Sequence, residues 1–390
     1  MHKELISNKL YYYFIASVIL LSSWTIYYTI DSPNIIFAFI IIIFLLRHSW
    51  SHDTFNNVIT ALLSIVIIRH FLSVEVASDI FIFFRSVINI AFLILILKLS
   101  NQDRFHIYQK LLNILIVILG IGLFFHIFNI LGHPLMQPFT SFQTDDVSGG
   151  RIWDVYYTQS YQIIKGKADV YRFASIFDEP GYLGTILAFI LAIEKYNLTI
   201  KRNLFLFIVG IFTLSGVFIV LTITYFTINS FYIKKFKVAI TTLLIGVVCF
   251  AIVYQIFPEF YSEIIDRLII TKGGITDDRA NIVSFKQYIG YLQQQDISVL
   301  LFGEGRFAEL TNYGIFISHA SWVTLVMQNG IVFLFYFIGV LLYAAYRLKN
   351  FYVLLFIIIF TLSMNHRPGI FNSMYFFLLS CGIYQENKND

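Results

Sequence analysis

Charge is what this sequence has least of. Asp, Glu, Lys and Arg make up 13% of its 390 residues, against 58% that are hydrophobic, and that balance excludes an ordinary soluble globular protein. Cysteine is almost absent. The two present, Cys249 and Cys381, both fall in apolar runs and read as small buried hydrophobes rather than a disulfide or metal pair. No Cys/His ligand spacing occurs, nor a dense cluster of carboxylates, which speaks against a metal-dependent site. There is no internal repeat and no low-complexity tract. The first apolar run, 10–30, has no Ala-x-Ala-like cleavage site and is too long for a signal-peptide core. It is expected to be a retained first span.

What fills the chain instead is long apolar stretches, rich in the 42 Phe and 25 Tyr. A helix rises 1.5 Å per residue, so about 20 apolar residues cross a hydrocarbon core of roughly 30 Å. Spans are expected at about 10–30, 34–46, 57–73, 80–99, 110–131, 180–196, 203–214, 216–232, 238–257, 319–346, 351–364 and 369–384. The fold class is therefore all-α: a polytopic integral membrane protein of about 12 transmembrane helices, forming one membrane domain over 1–390. The stretch 203–232 is too long for one span and breaks at Leu214-Ser215-Gly216. Lys3, Lys9, Arg47, Lys195, Lys201, Arg202, Lys234, Lys235, Arg347 and Lys349 fall on one side of this arrangement. The short connections opposite carry only Arg367, so both termini are expected in the cytoplasm.

Two long connections, 132–179 and 258–318, then lie outside the cytoplasm and hold most of the polar residues. The first ends in Arg172-Phe-Ala-Ser-Ile-Phe-Asp-Glu-Pro-Gly-Tyr-Leu-Gly184. A Pro after Asp178-Glu179 predicts a helix starting near Pro180, whose free N–H groups and positive dipole end suit an anionic ligand group. Gly181, Gly184, Ala188 and Ala192 give that helix a small-residue stripe for close packing. In the second connection, Asp277-Asp278 reads as an N-cap for an amphipathic interfacial helix at about 279–295. Ile282, Phe285, Ile289 and Leu292 form its apolar face. A glycine-flanked turn, Leu300-Leu-Phe-Gly-Glu-Gly-Arg306, follows, and His319 stands at the mouth of the next span.

The order Arg172-x-x-Ser175-x-Phe177-x-Glu179-Pro180-Gly181-x-x-Gly184, then Asp278-Arg279, then Leu301-Phe-Gly-Glu-Gly305, then His319 with Gln328-Asn-Gly-Ile331, resembles the O-antigen polymerase and O-antigen ligase superfamily. The resemblance covers roughly 170–345 and the topology; Ala320-Ser321 departs from the small polar residue that often follows the family's histidine. It implies a bacterial cytoplasmic-membrane glycosyltransferase that needs no cofactor or metal. An acceptor sugar hydroxyl attacks the anomeric carbon of a glycan, and undecaprenyl diphosphate leaves. Matched to the family, Arg172 and Arg279 bind the diphosphate, for which a guanidinium fork is suited, and Arg306 is a further phosphate contact. His319 is the matched base. Glu179 is the second candidate, as base or as the group that orients the acceptor or an arginine. Expected partners are the undecaprenyl-diphosphate-linked oligosaccharide, membrane lipids and, as an open option, a chain-length regulator; no nucleic acid is expected.

Each assignment has a plainer alternative. Arg172 would pair with Asp178 or Glu179, Arg279 would be a solvated helix residue, and His319 an interfacial one. Arg69 and Arg85 either pair with Glu75 and Asp79 in the hairpin between them or line a substrate cavity. His126 and Asn129 face that cavity or bond within the bundle, and Trp153, Tyr156 and Tyr157 are candidates for stacking on sugar rings. The sequence favours a polymerase over a ligase. A flippase of the same lipid-linked glycan is the rival from another class, disfavoured because the charges gather in the two long connections.

Overall fold

The computed structural model describes residues 2–21, 53–71, 80–131, 140–144, 151–156, 159–164, 171–177, 179–234, 270–271, 274–275, 297–303, 322–364 and 372–384, with positions 237, 240, 241 and 244. The fold is mostly helical. Expected spans at 34–46 and most of 238–257, the interfacial helix at 279–295, and Asp178, Cys249, Arg279, Arg306 and His319 lie outside the described residues. The chain divides into two compact units, one of residues 1–114 and 279–390 and one of residues 115–278.

In the first unit the helices are α1 (His2–Leu21), α2 (Thr54–Phe71), α3 (Ile80–Lys98) and the opening part of α4 (Asn101–Ile130). They are joined by α8 (Ile297–Phe302), α9 (Trp322–Asn329), α10 (Ile331–Leu348), α11 (Phe351–Ser363) and α12 (Ser373–Ile383). α2 packs on α3 and α10, α3 on α12, and α11 on α10 and α12. α4 starts where local chemistry favours it. Ser100 accepts from the Asp103 backbone N–H at 3.1 Å, as a helix N-cap does, and its hydroxyl donates back to the Asp103 carboxylate at 2.8 Å. Tyr12 of α1 donates to the other Asp103 oxygen at 2.7 Å, so the same cap ties α1 to α4.

Beside that cap, Arg104 is buried. It donates to Asn101 Oδ1 at 2.8 Å and to the carbonyls of Leu97 and Leu99 at 3.1 and 2.8 Å, with its guanidinium 4.2 Å from the Tyr384 ring centre. Those carbonyls end α3 and have no partner within that helix. A cation at a helix C-terminus also meets the negative end of the dipole.

In the second unit the connection expected as a loop over 132–179 contains an antiparallel meander. Its strands are β1 (Thr140–Thr144), β2 (Arg151–Tyr156), β3 (Gln159–Ile164) and β4 (Tyr171–Ser175), in that order across the sheet. Trp153 stands between Phe142 and Gln162, and Tyr156 opposite Gln159. A two-residue-long pair, β5 (Ile270–Thr271) and β6 (Gly274–Ile275), lies in the second connection. The all-α expectation is corrected to this extent.

The helices of this unit follow the predicted boundaries closely. α5 (Pro180–Ile193) starts with Pro180 at its first position and Glu179 as N-cap, and every one of its 14 residues is buried. α6 (Lys201–Phe212) and α7 (Gly216–Tyr232) are separate helices, with the break where the sequence puts it. Leu214 takes φ 46°, and Ser215 caps α7 by accepting from Phe218 N–H at 3.4 Å. The small-residue stripe of α5 is used here: a methyl on Gly184 would lie 2.8 Å from the Ser215 Cβ and 3.1 Å from that of Phe218. α5 and α7 thus approach over a glycine.

The expected span at 319–346 is not one helix. It breaks at Gly330, which has φ 85° and ψ 164° and caps α10. The expected turn around Leu300 to Arg306 is helical up to Phe302, as α8, and turns at Gly303 with φ 76°.

Candidate functional site

The Arg172 to Gly184 stretch forms a strand, a turn and a helix start. β4 carries Arg172, Phe173 and Ala174 to Ser175, which takes φ 55°, an unusual conformation for a residue with a side chain. The pairing register with β3 shifts beside Ser160, opposite this point. Phe177 N–H donates to the Ala174 carbonyl at 3.1 Å, closing the turn that leads to Glu179. At Glu179 the backbone is extended, at φ −145° and ψ 148°, and its carbonyl accepts from Tyr182 and Leu183 N–H at 3.0 and 3.2 Å. Phe173, Ala174, Ser175, Ile176 and Phe177 are all buried, whereas Glu179 keeps part of its surface open.

Arg172 is 9% exposed, and its Nη2 donates to the carbonyl of Leu214 at 3.3 Å. That carbonyl belongs to the turn between α6 and α7, where Thr213 Oγ1 donates to Gly210 and accepts from Ser215 N–H at 3.2 Å. The arginine therefore completes the hydrogen bonding of a tight turn, and the turn in return fixes one edge of the guanidinium. His126, on the stretch of α4 within this unit, is buried with ring centres 5.2 Å from Phe173 and 6.1 Å from Phe212. It packs on the aromatic side chain next to Arg172.

In the other unit, the structure brings two of the motif segments together. Gly303, from Leu301-Phe-Gly-Glu-Gly305, lies against the backbone of Gln328 and Asn329, and Gly330 lies against Leu301 and Phe302. Arg69 donates through Nη2 to the carbonyl of Phe302; Glu75 and Asp79, the hairpin partners considered for it, lie outside the described residues. Arg85 lies on α3, and its side chain is outside the described residues. His70 and Asn329 are buried and meet at 3.1 Å between Nδ1 and Oδ1.

Sequence reasoning missed His70 and Asn329 as a pair. The available signal was the Arg69-His70 dipeptide in an apolar run, next to the Gln328-Asn-Gly-Ile331 motif. Among the described residues no three His, Cys, Asp or Glu side chains converge as metal ligands. Comparison of the chain with protein-family models, with curated proteins and with solved structures finds no match.

Proposed function

We propose that this chain is a multi-pass glycosyltransferase of the bacterial cytoplasmic membrane. It polymerises undecaprenyl-diphosphate-linked oligosaccharide units into an O-antigen, capsule or exopolysaccharide on the outer face of the cytoplasmic membrane. The observation that carries the reading is the ordered passage from Arg172 to Gly181. A buried arginine anchored on Leu214 is followed by a partly open carboxylate at the N-cap of a helix that begins at Pro180. A guanidinium held in this way suits a diphosphate whose negative charge grows as it leaves.

Burial supports the membrane part of the reading. Asn56, His70, Arg104, His126, Arg172 and Asn329 are inside, while Val117, Phe124, Phe335 and Tyr346 are 54–76% exposed. Water-facing helices reverse that distribution, and an acyl environment fits it. Asn101–Phe128 and Ile331–Leu348 are long and apolar enough to cross a bilayer, and several shorter apolar helices accompany them.

In the reaction, the acceptor hydroxyl oxygen bonds to the anomeric carbon and the carbon–oxygen bond to the diphosphate breaks. The electron pair leaves with undecaprenyl diphosphate, and the hydroxyl proton goes to His319 or Glu179. Arg172, Arg279 and Arg306 hold the leaving group.

The test uses full-length protein in liposomes with its undecaprenyl-diphosphate-linked repeat unit, read as a glycan ladder. Wild type makes a ladder; folded Arg172→Ala, Arg279→Ala and His319→Ala variants do not. Product only after a lipid or protein acceptor is added makes the chain a ligase. Substrate that crosses the bilayer with no new bond makes it a flippase and refutes the transferase reading.

A further inference from the structure

The last turn of α2 meets the end of α8 and the break between α9 and α10 at one place. A methyl on Gly303 would lie 2.6 Å from the backbone of Gln328 and Asn329, and one on Gly330 would lie 2.6 Å from the carbonyl carbon of Phe302. The two breaks are in backbone contact, and only glycine at positive φ fits both. Crossings of this kind leave helix-end groups that neither helix satisfies. Two adjacent residues of α2 serve them. Arg69 donates to Phe302, the last carbonyl of α8, and His70 reaches Asn329, the last residue of α9.

The protonation of this contact follows from geometry. Asn329 Nδ2 donates to the Leu325 carbonyl at 3.2 Å, which turns Oδ1 toward His70. An amide oxygen only accepts, so His70 carries its proton on Nδ1. The Tyr336 hydroxyl adds a third tie, donating to the Leu62 carbonyl at 3.3 Å and joining α10 to α2.

The helix is interrupted at Gly330, and the end of α8 lies against that interruption. The interruption is costly, and three side chains on two elements stabilise it. Both breaks fall within motif segments, and Glu304 and Arg306 follow Gly303 directly in sequence. We infer that Arg69 and His70 are positioning residues for the transfer reaction. Acting through Phe302 and Asn329, they hold the crossing of Gly303 and Gly330 in one geometry, so that their loss lowers turnover and leaves substrate affinity nearly intact. This role rests on the glycosyltransferase reading above.

Initial rates are measured in liposomes over a range of lipid-linked substrate. Arg69→Ala and His70→Leu are expected to lower kcat about tenfold or more with KM within about threefold, as for supporting rather than contacting groups. Arg69→Lys and His70→Gln each keep a donor, and are expected to recover most of the loss. Raised KM at unchanged kcat would overturn the role, since it marks direct substrate contact; so would unchanged kcat and KM. A thermal-melting cycle on the purified full chain reads the latch without activity. The double variant His70→Leu/Asn329→Leu should be no less stable than the worse single, and strictly additive losses would refute the coupling. A wild type that makes no glycan in any format refutes the transferase reading and with it the positioning role, while the melting cycle still decides whether the latch exists. Should Arg69→Ala fail to fold, Arg69→Met, which keeps the apolar stem and loses the donor, carries the kinetic comparison against wild type and Arg69→Lys.

Discussion

Two glycines of one helix should respond to alanine with opposite signs. Gly330 caps α10 at φ 85° and ψ 164°, a region open almost only to glycine and worth about 1–3 kcal/mol of strain for any other residue. A methyl there would also lie 2.5 Å and 2.6 Å from the carbonyl carbons of Leu301 and Phe302. Backbone cannot swing aside as a side chain can, so overpacking adds about 1–3 kcal/mol. The sum for Gly330→Ala is a loss of about 2–6 kcal/mol. Gly339, nine residues on in the same helix, has nothing within 4 Å of the position a methyl would take. Gly339→Ala only narrows the unfolded ensemble and should gain about 0.4–1 kcal/mol. The assay is the monodisperse fraction of detergent-solubilised protein after heating, taken as a half-life because unfolding of such chains is rarely reversible. Gly330→Ala should lose its folded fraction several degrees below wild type, and Gly339→Ala at or above it. Equal behaviour of the two would refute the crossing of α8 with the α9–α10 break.

Other packing arguments are open to the same measurement. Gly184→Ala drives a methyl to 2.8 Å and 2.9 Å from Ser215 Cβ and Oγ; it should cost about 1–3 kcal/mol, and adding Ser215→Gly should restore much of it, because glycine caps nearly as well as serine. Absence of rescue would mean that α5 and α7 do not meet there. Arg104→Ala strips donors from Leu97, Leu99 and Asn101 and should destabilise by about 1–3 kcal/mol, since Thr60 and Asn56 still donate to the two carbonyls, with Arg104→Lys recovering only part since one ammonium does not span the three acceptors; a neutral Arg104→Ala would remove the cap from the account of α3. Cys381 is a buried free thiol, so in a Cys249→Ser background a maleimide should label it only on unfolding, and rapid native labelling would contradict the packing of α12.

Local signals made part of this fold legible, and partners distant in sequence made the rest opaque. Pro180 announces the start of α5 because its missing N–H suits only a first turn. Ser215-Gly216 announces the division of α6 from α7 through a capping side chain. Strands of five or six residues carry little pattern of their own, and the meander over 140–175 is set by pairing between strands, so it reads as a loop. Sequence proximity offers Glu75 and Asp79, or a substrate cavity, to Arg69, and cannot point to the Phe302 carbonyl that accepts from it 233 residues away. His70 carries only the weak local mark of its dipeptide with Arg69 in an apolar run, and gains its meaning from Asn329, 259 residues away. Of the proposed reactive residues, Glu179 lies at the helix cap that Pro180 predicts, whereas Arg172 lies in a strand where the sequence reads a loop.

The unusual backbone conformations sort the molecule further. Lys195, Tyr196, Lys234 and Lys349 take positive φ at the ends of α5, α7 and α10. A left-handed residue commonly ends a helix, and a lysine there meets the negative end of the dipole. These lysines are also among the cations that the orientation argument places in the cytoplasm, so capping and topology ask for the same residues. Ser175, Leu214, Gly303 and Gly330 are of another kind. Ser175 lies three residues after the arginine that bonds Leu214, and Gly303 and Gly330 lie on each other's backbone. Each of these pairs includes a motif segment, and each is fastened by an arginine that donates to a carbonyl, Arg172 to Leu214 and Arg69 to Phe302. A chain that breaks local rules at its motifs and then fixes the breaks with side-chain bonds to backbone carbonyls is holding geometry, not merely filling space. Restoring regular helix at Gly330 by substitution should therefore remove activity before it removes the fold, provided that Gly339→Ala in the same helix leaves both intact.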